Sequence, residues 1–406
     1  MEVSHKDRGR SSCGSGSSVT ARAGHSRPVL TLLFPGQGSQ VSGLLTPWLC
    51  TPGAAESLAR WSDLAQVDLV DAGTSWSAER LLDTAVAQPL LAAAALLSAR
   101  ALLSDGVPDA VCGHSIGELP ALAVAGVLTE DEAVALAAVR GRAMAAAART
   151  EATGLLAVLG GDPDEIRTRA STLGLSVATV NVDGQVVLGG AAEALDLLAA
   201  APPAGARLRR LAVAAAFHTA AMQAARPALA EAVGALPSRR PRCAVVANRD
   251  GVVVTSGREA LDRLVEQLTG PVRFDLCLQT LSAMGVTGAV ELAPGGTLTA
   301  LAKRALPHAS AVALRTPDDL VKARGLLGSA GEAVTVDWQA LPCHSSGVID
   351  LTAELGHEVT AGESLAVVTG REGPSAVSAP RAGVLAEWLV CSGDPVRTGQ
   401  LLAVLS

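Results

Sequence analysis

The sequence predicts an α/β chain in three parts: a core with a mainly parallel sheet, a ferredoxin-like subdomain inserted in it, and a small all-β domain at the carboxy terminus. Three observations carry this prediction. Short apolar runs end at glycine turns that open into helical segments, at VLTLLFPGQGSQ after Pro28 and again at PDAVCGHSIGELPALAVAGVL. Repeated strand-turn-helix units of this kind build a parallel sheet covered by helices. Between Gly154 and Phe217 the units become smaller and read strand-helix-strand-strand-helix-strand, which is the ferredoxin-like order. From Cys343 the chain turns into short strands that repeat internally.

Taken in order, residues 1–27 are basic and carry no apolar core segment, so they read as a disordered leader and not as a signal peptide. The large domain is expected over 28–342, with helical periodicity from about Ala85 to Ser104. The inserted subdomain occupies about 154–217: LLAVLG, a helix from Asp162, LSVATVNV, a turn at Asp183-Gly184, QVVLGG, a helix from Ala191, and RLRRLAVA. The α/β units return at AVVANRD and AVELAPGG. In the last domain, 343–406, SGVIDLTAELGHEVTAGESLAVV is echoed by AGVLAEWLVCSGDPVRTGQLLAVL, with G-V recurring 36 positions later and L-A-V 37 positions later. Acidic residues outnumber basic ones there by seven to three, which predicts a solvated, net negative domain.

Composition narrows the class. A chain of 406 residues buries a sizeable core and divides into two or three domains. The longest apolar stretches, such as LLAAAALLSARALL from Leu90, fall short of a membrane span, so no membrane partner is expected. Seven cysteines, odd in number and without a C-x-x-C pair, fit a reducing cytoplasm with neither disulfides nor a metal site. A net charge of -7, three lysines and no tyrosine leave no basic, aromatic surface for nucleic acid.

The chemistry begins at G-x-S-x-G, Gly113 to Gly117. A crowded strand-to-helix turn lifts a serine oxygen out of the sheet, while the helix amino terminus offers amide donors and a favourable dipole. In a chain with 41 glycines the spacing by itself is equally compatible with a plain turn. The second loop, FPGQGSQ at 34–40, lacks the third glycine of a dinucleotide turn and an acidic ribose ligand. It is either a plain turn or the source of a backbone amide for an oxyanion hole. A serine nucleophile needs a base. His5 and His25 lie in the leader and His344 and His357 at or beyond the last junction, which leaves His114, His218 and His308. His218, after the apolar run in VAAAFHTAAM, is the preferred base.

GHSIGE, FPGQGSQ, AAFHTAAM, RGRAM (Arg140 to Met144), EQLTGPVRF and ELAPGGTLTALAKR occur in an order that resembles malonyl-CoA:acyl carrier protein transacylases and polyketide synthase acyltransferase domains, over about residues 29 to 341. The resemblance implies a hydrolase-like core and a ping-pong acyl transfer. Ser115 would attack an acyl-CoA thioester with His218 as base, and the acyl-serine would pass to the phosphopantetheine thiol of an acyl carrier protein. It further implies that the amides of Gln37 and Ile116 hold the oxyanion and that the Gln267 carbonyl orients His218. Arg140 would pair with a malonyl carboxylate. Ile116 and Phe217 resemble malonyl-selective members, whereas Ala215 stands where many of them have histidine and the loop at Asn181 is about two residues short. VTVDWQAL (334–341) resembles the stretch after the acyltransferase in modular polyketide synthases and leans toward secondary metabolism.

The last domain resembles biotinyl and lipoyl carrier domains, which implies a small all-β flattened barrel. The attachment lysine, eight residues before Pro380, would fall on Glu372, and the domain contains no lysine. A carboxylate cannot form the amide, so no biotin or lipoyl group is expected and a role in docking, dimerisation or solubility is. An acidic carrier protein would meet Arg207, Arg209 and Arg210, or Arg239, Arg240 and Arg242. Two rivals are a hydrolase that removes carrier-bound acyl groups and an inactive docking scaffold. Arg140 argues against the first, and the intact Ser115, His218, Gln37 and Arg140 argue against the second.

Overall fold

The computed structural model describes residues 29–406 apart from 104–105, 327–338, 355–356, 372, 389, 391, 399–400 and 406. The leader, residues 334–338 of the VTVDWQAL segment, and Glu372 therefore lie outside the described residues.

β1 (Leu30–Phe34) is LTLLF, buried at every position, as a strand covered on both faces requires. β2 (Ala110–Gly113) lies parallel beside it with Phe34 opposite Gly113. The glycine loop after β1 and the serine turn after β2 thus leave the same carboxyl edge, where open α/β sheets place their ligands. β3 (Thr153–Gly160), β4 (Ser176–Val182), β5 (Gln185–Ala191) and β6 (Ala206–Arg210) follow, then β7 (Ala244–Val246), β8 (Val253–Val254), β9 (Val272–Arg273), β10 (Gly288–Glu291) and β11 (Ser310–Ala313). The large sheet has the order β11-β10-β1-β2-β7-β8, and only the β7–β8 pair is antiparallel.

The smaller sheet runs β6-β3-β5-β4-β9. Its first four strands are mutually antiparallel in the ferredoxin-like order, and β9 of the large domain extends it parallel to β4. One face, with Leu156, Val158 and Leu188, packs on residues of the two subdomain helices such as Ile166 and Leu195. The other face, with Leu155 and Val187, joins the main core. β9 begins five residues after Gln267, so the extension ties this sheet to the loop that carries Gln267.

The helix Thr84–Leu103 matches the helix expected from about Ala85 to Ser104, but it is longer than its apolar run suggests. It is 20 residues of mean hydropathy 1.6, long and apolar enough to cross a membrane. It is instead a core helix, 83% buried over that window, and packs along the helix Glu130–Ala148. A helix apolar on every side is what a position surrounded by protein selects.

In the carboxy-terminal domain β12 (Gln339–Pro342), β13 (Gly347–Leu351), β14 (Glu358–Val359), β15 (Ser364–Gly370), β16 (Gly373–Ser378), β17 (Gly383–Trp388), β18 (Pro395–Val396) and β19 (Leu401–Leu405) form two antiparallel sheets, β12-β19-β17-β14 and β16-β15-β13-β18. The internal repeat has a structural meaning. The two G-V pairs open β13 and β17, the two L-A-V triplets lie in β15 and β19, and β13 pairs β15 as β17 pairs β19. Trp388 packs against the apolar clusters of both sheets.

Close packing at the edge of the large sheet depends on two glycines. A Cβ on Gly113 would stand 2.1 Å from the Gly117 carbonyl carbon, and one on Gly117 2.1 Å from the Phe34 oxygen. Both obstacles are backbone. Gly113→Ala should lower stability by about 2–3 kcal/mol, the upper range of overpacking, measured by denaturant unfolding; an unchanged midpoint would refute this packing.

Candidate active site

The serine turn is strained. Ser115 has φ 55° and His218 φ 63°, and among the described residues only Gln66 shares a positive φ without being glycine. Such conformations persist where the surroundings over-determine them. The two residues face each other, with Ser115 Oγ 2.7 Å from His218 Nε2. His218 Nδ1 lies 2.8 Å from the Gln267 carbonyl oxygen. A carbonyl only accepts, so Nδ1 carries the hydrogen and the Nε2 lone pair meets the serine hydroxyl.

Asn248 clamps the turn from behind. Its Oδ1 accepts from the Ser115 amide at 2.7 Å and its Nδ2 donates to the Gly113 carbonyl at 2.6 Å. The serine's own amide is thereby occupied. The amides of Gln37 and Ile116 have no acceptor among the described residues. Gly36 brings the first loop against the turn, since a Cβ there would stand 2.7 Å from the His114 oxygen. The Gln37 side chain donates to Thr84 Oγ1 at 3.2 Å.

Arg140, on the helix Glu130–Ala148, is 1% exposed, which rules out a solvated helix residue. Its Nη1 donates to Gln88 Oε1 at 2.8 Å, and its Nη2 to Ser115 Oγ at 3.1 Å and Gln267 Oε1 at 2.9 Å. Its Nε is buried without an acceptor. Burial lowers its pKa to about 10, which leaves it cationic at neutral pH. Burial, reinforced by the Arg140 charge, brings His218 down to about 3. Glu118 is pushed up to about 7, chiefly by burial.

The structure thus brings Ser115, His218, Gln267 and Arg140 into one hydrogen-bonded group, with Ile116 next to the serine and the Gln37 loop against the turn. Phe217 is buried beside His218. His114 turns away, its Nε2 3.0 Å from Asn181 Oδ1. Sequence reasoning missed three buried members: Gln88, Glu118 and Asn248. Each leaves a weak trace, a single amide in the apolar run AVAQPLL, a carboxylate at the end of GHSIGE and an asparagine at the end of AVVAN.

The two arginine clusters differ. Arg239 is paired with Glu132, and Arg242 donates to the Val124 carbonyl at 3.4 Å. Arg210 pairs with Asp196. Arg207 and Arg209 are exposed, opposite Leu159 and Ala157 in the register. They therefore share the sheet face of Leu155, which packs toward the main core.

Residues 31–321 match the acyl transferase domain family, and residues 342–405 match the family described as biotin-requiring enzyme. The chain is 49% identical over 296 residues to the malonyl CoA-acyl carrier protein transacylase of Mycobacterium tuberculosis (strain ATCC 25618 / H37Rv), covering 72% of this chain and 98% of that protein. It is 34% identical over 301 residues to the transacylase of the same name from Escherichia coli (strain K12), covering 72% of this chain and 97% of that one. The crystal structure of MCAT from Mycobacterium tuberculosis superposes with a TM-score of 0.71 at 48% identity, over 73% of this chain and 99% of that one. A malonyl-transacylase in complex with a type II PKS acyl-carrier protein superposes with a TM-score of 0.68 at 31% identity, over 73% of this chain and 99% of that one. The fold, the serine turn and these matches agree: the chain belongs to the acyl transferase domain family and carries a domain of the biotin-requiring enzyme type behind it.

Proposed function

We propose that the chain transfers a malonyl group from malonyl-CoA to the phosphopantetheine thiol of an acyl carrier protein, as a cytoplasmic enzyme of polyketide or fatty acid biosynthesis. The observation that carries this reading is the convergence on one serine oxygen of a neutral imidazole and a buried guanidinium. His218 takes the hydroxyl proton as Ser115 attacks the thioester carbonyl, and the Gln37 and Ile116 amides hold the oxyanion. Collapse expels the CoA thiolate, which recovers the proton from His218. The carrier thiol then gives its proton to His218 and attacks the ester, and the Ser115 alkoxide that leaves takes that proton back. The Gln267 carbonyl keeps the imidazole in the required tautomer, a task that a carboxylate performs in other triads.

Arg140 selects the acyl group. Its Nε is a buried donor without an acceptor, a deficit of about 1–3 kcal/mol that a malonyl carboxylate removes. Phe217 limits the room for a branch at the second carbon, and the acyltransferase domain extends over 28–342. The domain at 343–406 carries no biotin or lipoyl group, because it holds no lysine to form the amide. Of the two arginine clusters, Arg207 and Arg209 suit an acidic carrier, since Arg239 is neutralised by Glu132.

Incubation with malonyl-CoA should give a malonyl adduct by intact mass, and carrier protein should then remove it, becoming loaded. The unmodified protein should show neither a biotin nor a lipoyl increment. Ser115→Ala should abolish the adduct, and Arg140→Ala should slow its formation about a hundredfold, the scale of removing one partner from a buried charge pair. A labelled Ser115→Ala variant, or free malonate without loaded carrier, would overturn the assignment.

The lowered pKa of His218 means that the imidazole stays neutral as pH falls through the ordinary histidine range near 6.5. An NMR titration should find it uncharged from pH 8 down to below pH 5, and protonation near pH 6 would contradict its burial. For the docking face, Arg209→Glu should raise the KM for carrier protein roughly tenfold in steady-state loading, while Arg239→Glu changes it less than twofold. The reverse ranking would move the dock to the second cluster.

A further inference from the structure

Glu118 takes part in the site without touching the place of the acyl group. It is 7% exposed, and both carboxylate oxygens are used: Oε1 accepts from the Asn248 amide at 2.7 Å and Oε2 from Gln267 Nε2 at 2.5 Å. Among the described residues it is the one carboxylate bonded to this group. Asp250 and Arg263 are the other charges close enough to act on it besides Arg140.

The Gln267 amide has two faces with opposite demands. Its nitrogen meets acceptors: Glu118 Oε2, Asn248 Oδ1 at 3.1 Å and the Ser115 carbonyl at 3.3 Å. Its oxygen meets the Arg140 Nη2 donor at 2.9 Å. Reversing the amide would turn NH2 toward a guanidinium, which has no acceptor, and an oxygen toward a carboxylate, which has no donor when ionised. The shortest of the contacts that fix the orientation is the one to Glu118. The same Gln267 Oε1 contact, with Gln88 on Nη1, aims the Arg140 fork at Ser115.

We infer that Glu118 is a positioning residue for the selection of carboxylated acyl groups: by fixing the Gln267 side-chain amide it sets the direction of the Arg140 fork. The inference rests on the transfer reading above. It separates the two parts of Gln267: the backbone carbonyl holds His218 for every acyl group, while the side-chain oxygen is the part that meets Arg140. Loss of Glu118 should therefore weigh on the carboxylate more than on the acylation step.

The test is a competition between malonyl-CoA and acetyl-CoA for Ser115, read by intact mass on the full-length protein. In Glu118→Gln the donor amide would face the Asn248 N–H or the Gln267 amide, so the ratio of malonyl to acetyl adduct should fall at least tenfold. With malonyl-CoA alone, the loss in kcat/KM should appear mainly as a raised KM. Glu118→Asp keeps the carboxyl group but retracts it by one methylene; it should lie between wild type and Glu118→Gln, and it is read alone if Glu118→Gln does not fold. Gln267→Met keeps the backbone carbonyl and removes the amide, so adding Glu118→Gln to it should change the ratio no further. An unchanged ratio with both adducts slowed equally, or ratio effects that add in the double variant, would overturn the inference. A wild-type protein that takes no malonyl group would instead overturn the transfer reading.

Discussion

The hydrogen bond between Ser115 and His218 joins two residues that are distant in sequence and held in conformations neither prefers. Each left-handed backbone conformation costs of order 1–3 kcal/mol, and the surrounding structure must supply what holds it. At Ser115 that support is the double clamp of Asn248 and the backbone contact of Gly113 with Gly117. At His218 it is the Gln267 carbonyl. The parallel pairing of β1 with β2 brings the Gln37 loop against the same turn. Most of the large domain can be understood as the scaffold that keeps this contact short.

Electrostatics explains why the group is buried. A cationic histidine would repel Arg140 and hold no lone pair toward the serine, and burial beside that guanidinium keeps the imidazole neutral. Arg140 remains cationic because burial lowers its pKa only to about 10 and the nearby Glu118 acts against that fall; its direct partners, amide carbonyl and hydroxyl oxygens, accept from it and leave its charge uncompensated. Glu118 stands one residue further away, joined through Gln267. In the proposed transfer, a carboxylate in direct contact would satisfy the fork and close it to a malonyl anion. The intervening amide transmits orientation and leaves the charge available.

The carboxy-terminal domain follows other rules. Its repeat places corresponding segments in two sheets whose apolar clusters both meet Trp388. β15 and β16 pair as far as Gly370 and Gly373, and the domain contains no lysine. The architecture is kept by its apolar pattern, which does not depend on a lysine.

Much of this was legible in the sequence. Apolar runs ending at glycine pointed to the parallel sheet, the change of unit length to the ferredoxin-like order, and an echo of 36 to 37 residues to a small pseudo-symmetric β domain, whose two sheets the structure shows. Ser115, His218, Gln267 and Arg140 could be named because their motifs are local patterns with recognisable neighbours. The helix Thr84–Leu103 was legible as a helix outside any membrane, but its burial on nearly every side was not, since periodicity does not say what surrounds an apolar helix. Nor were Gln88, Glu118 and Asn248 legible as site residues, because they lie on three separate segments and gain a role only through hydrogen bonds to partners such as Arg140, Gln267 and the serine turn. Periodicity and turn chemistry act between near neighbours and are written along the chain. The direction of an amide, the pairing of a guanidinium and the cost of a buried charge depend on what folding brings within about 3 Å, and only the tertiary structure decides them.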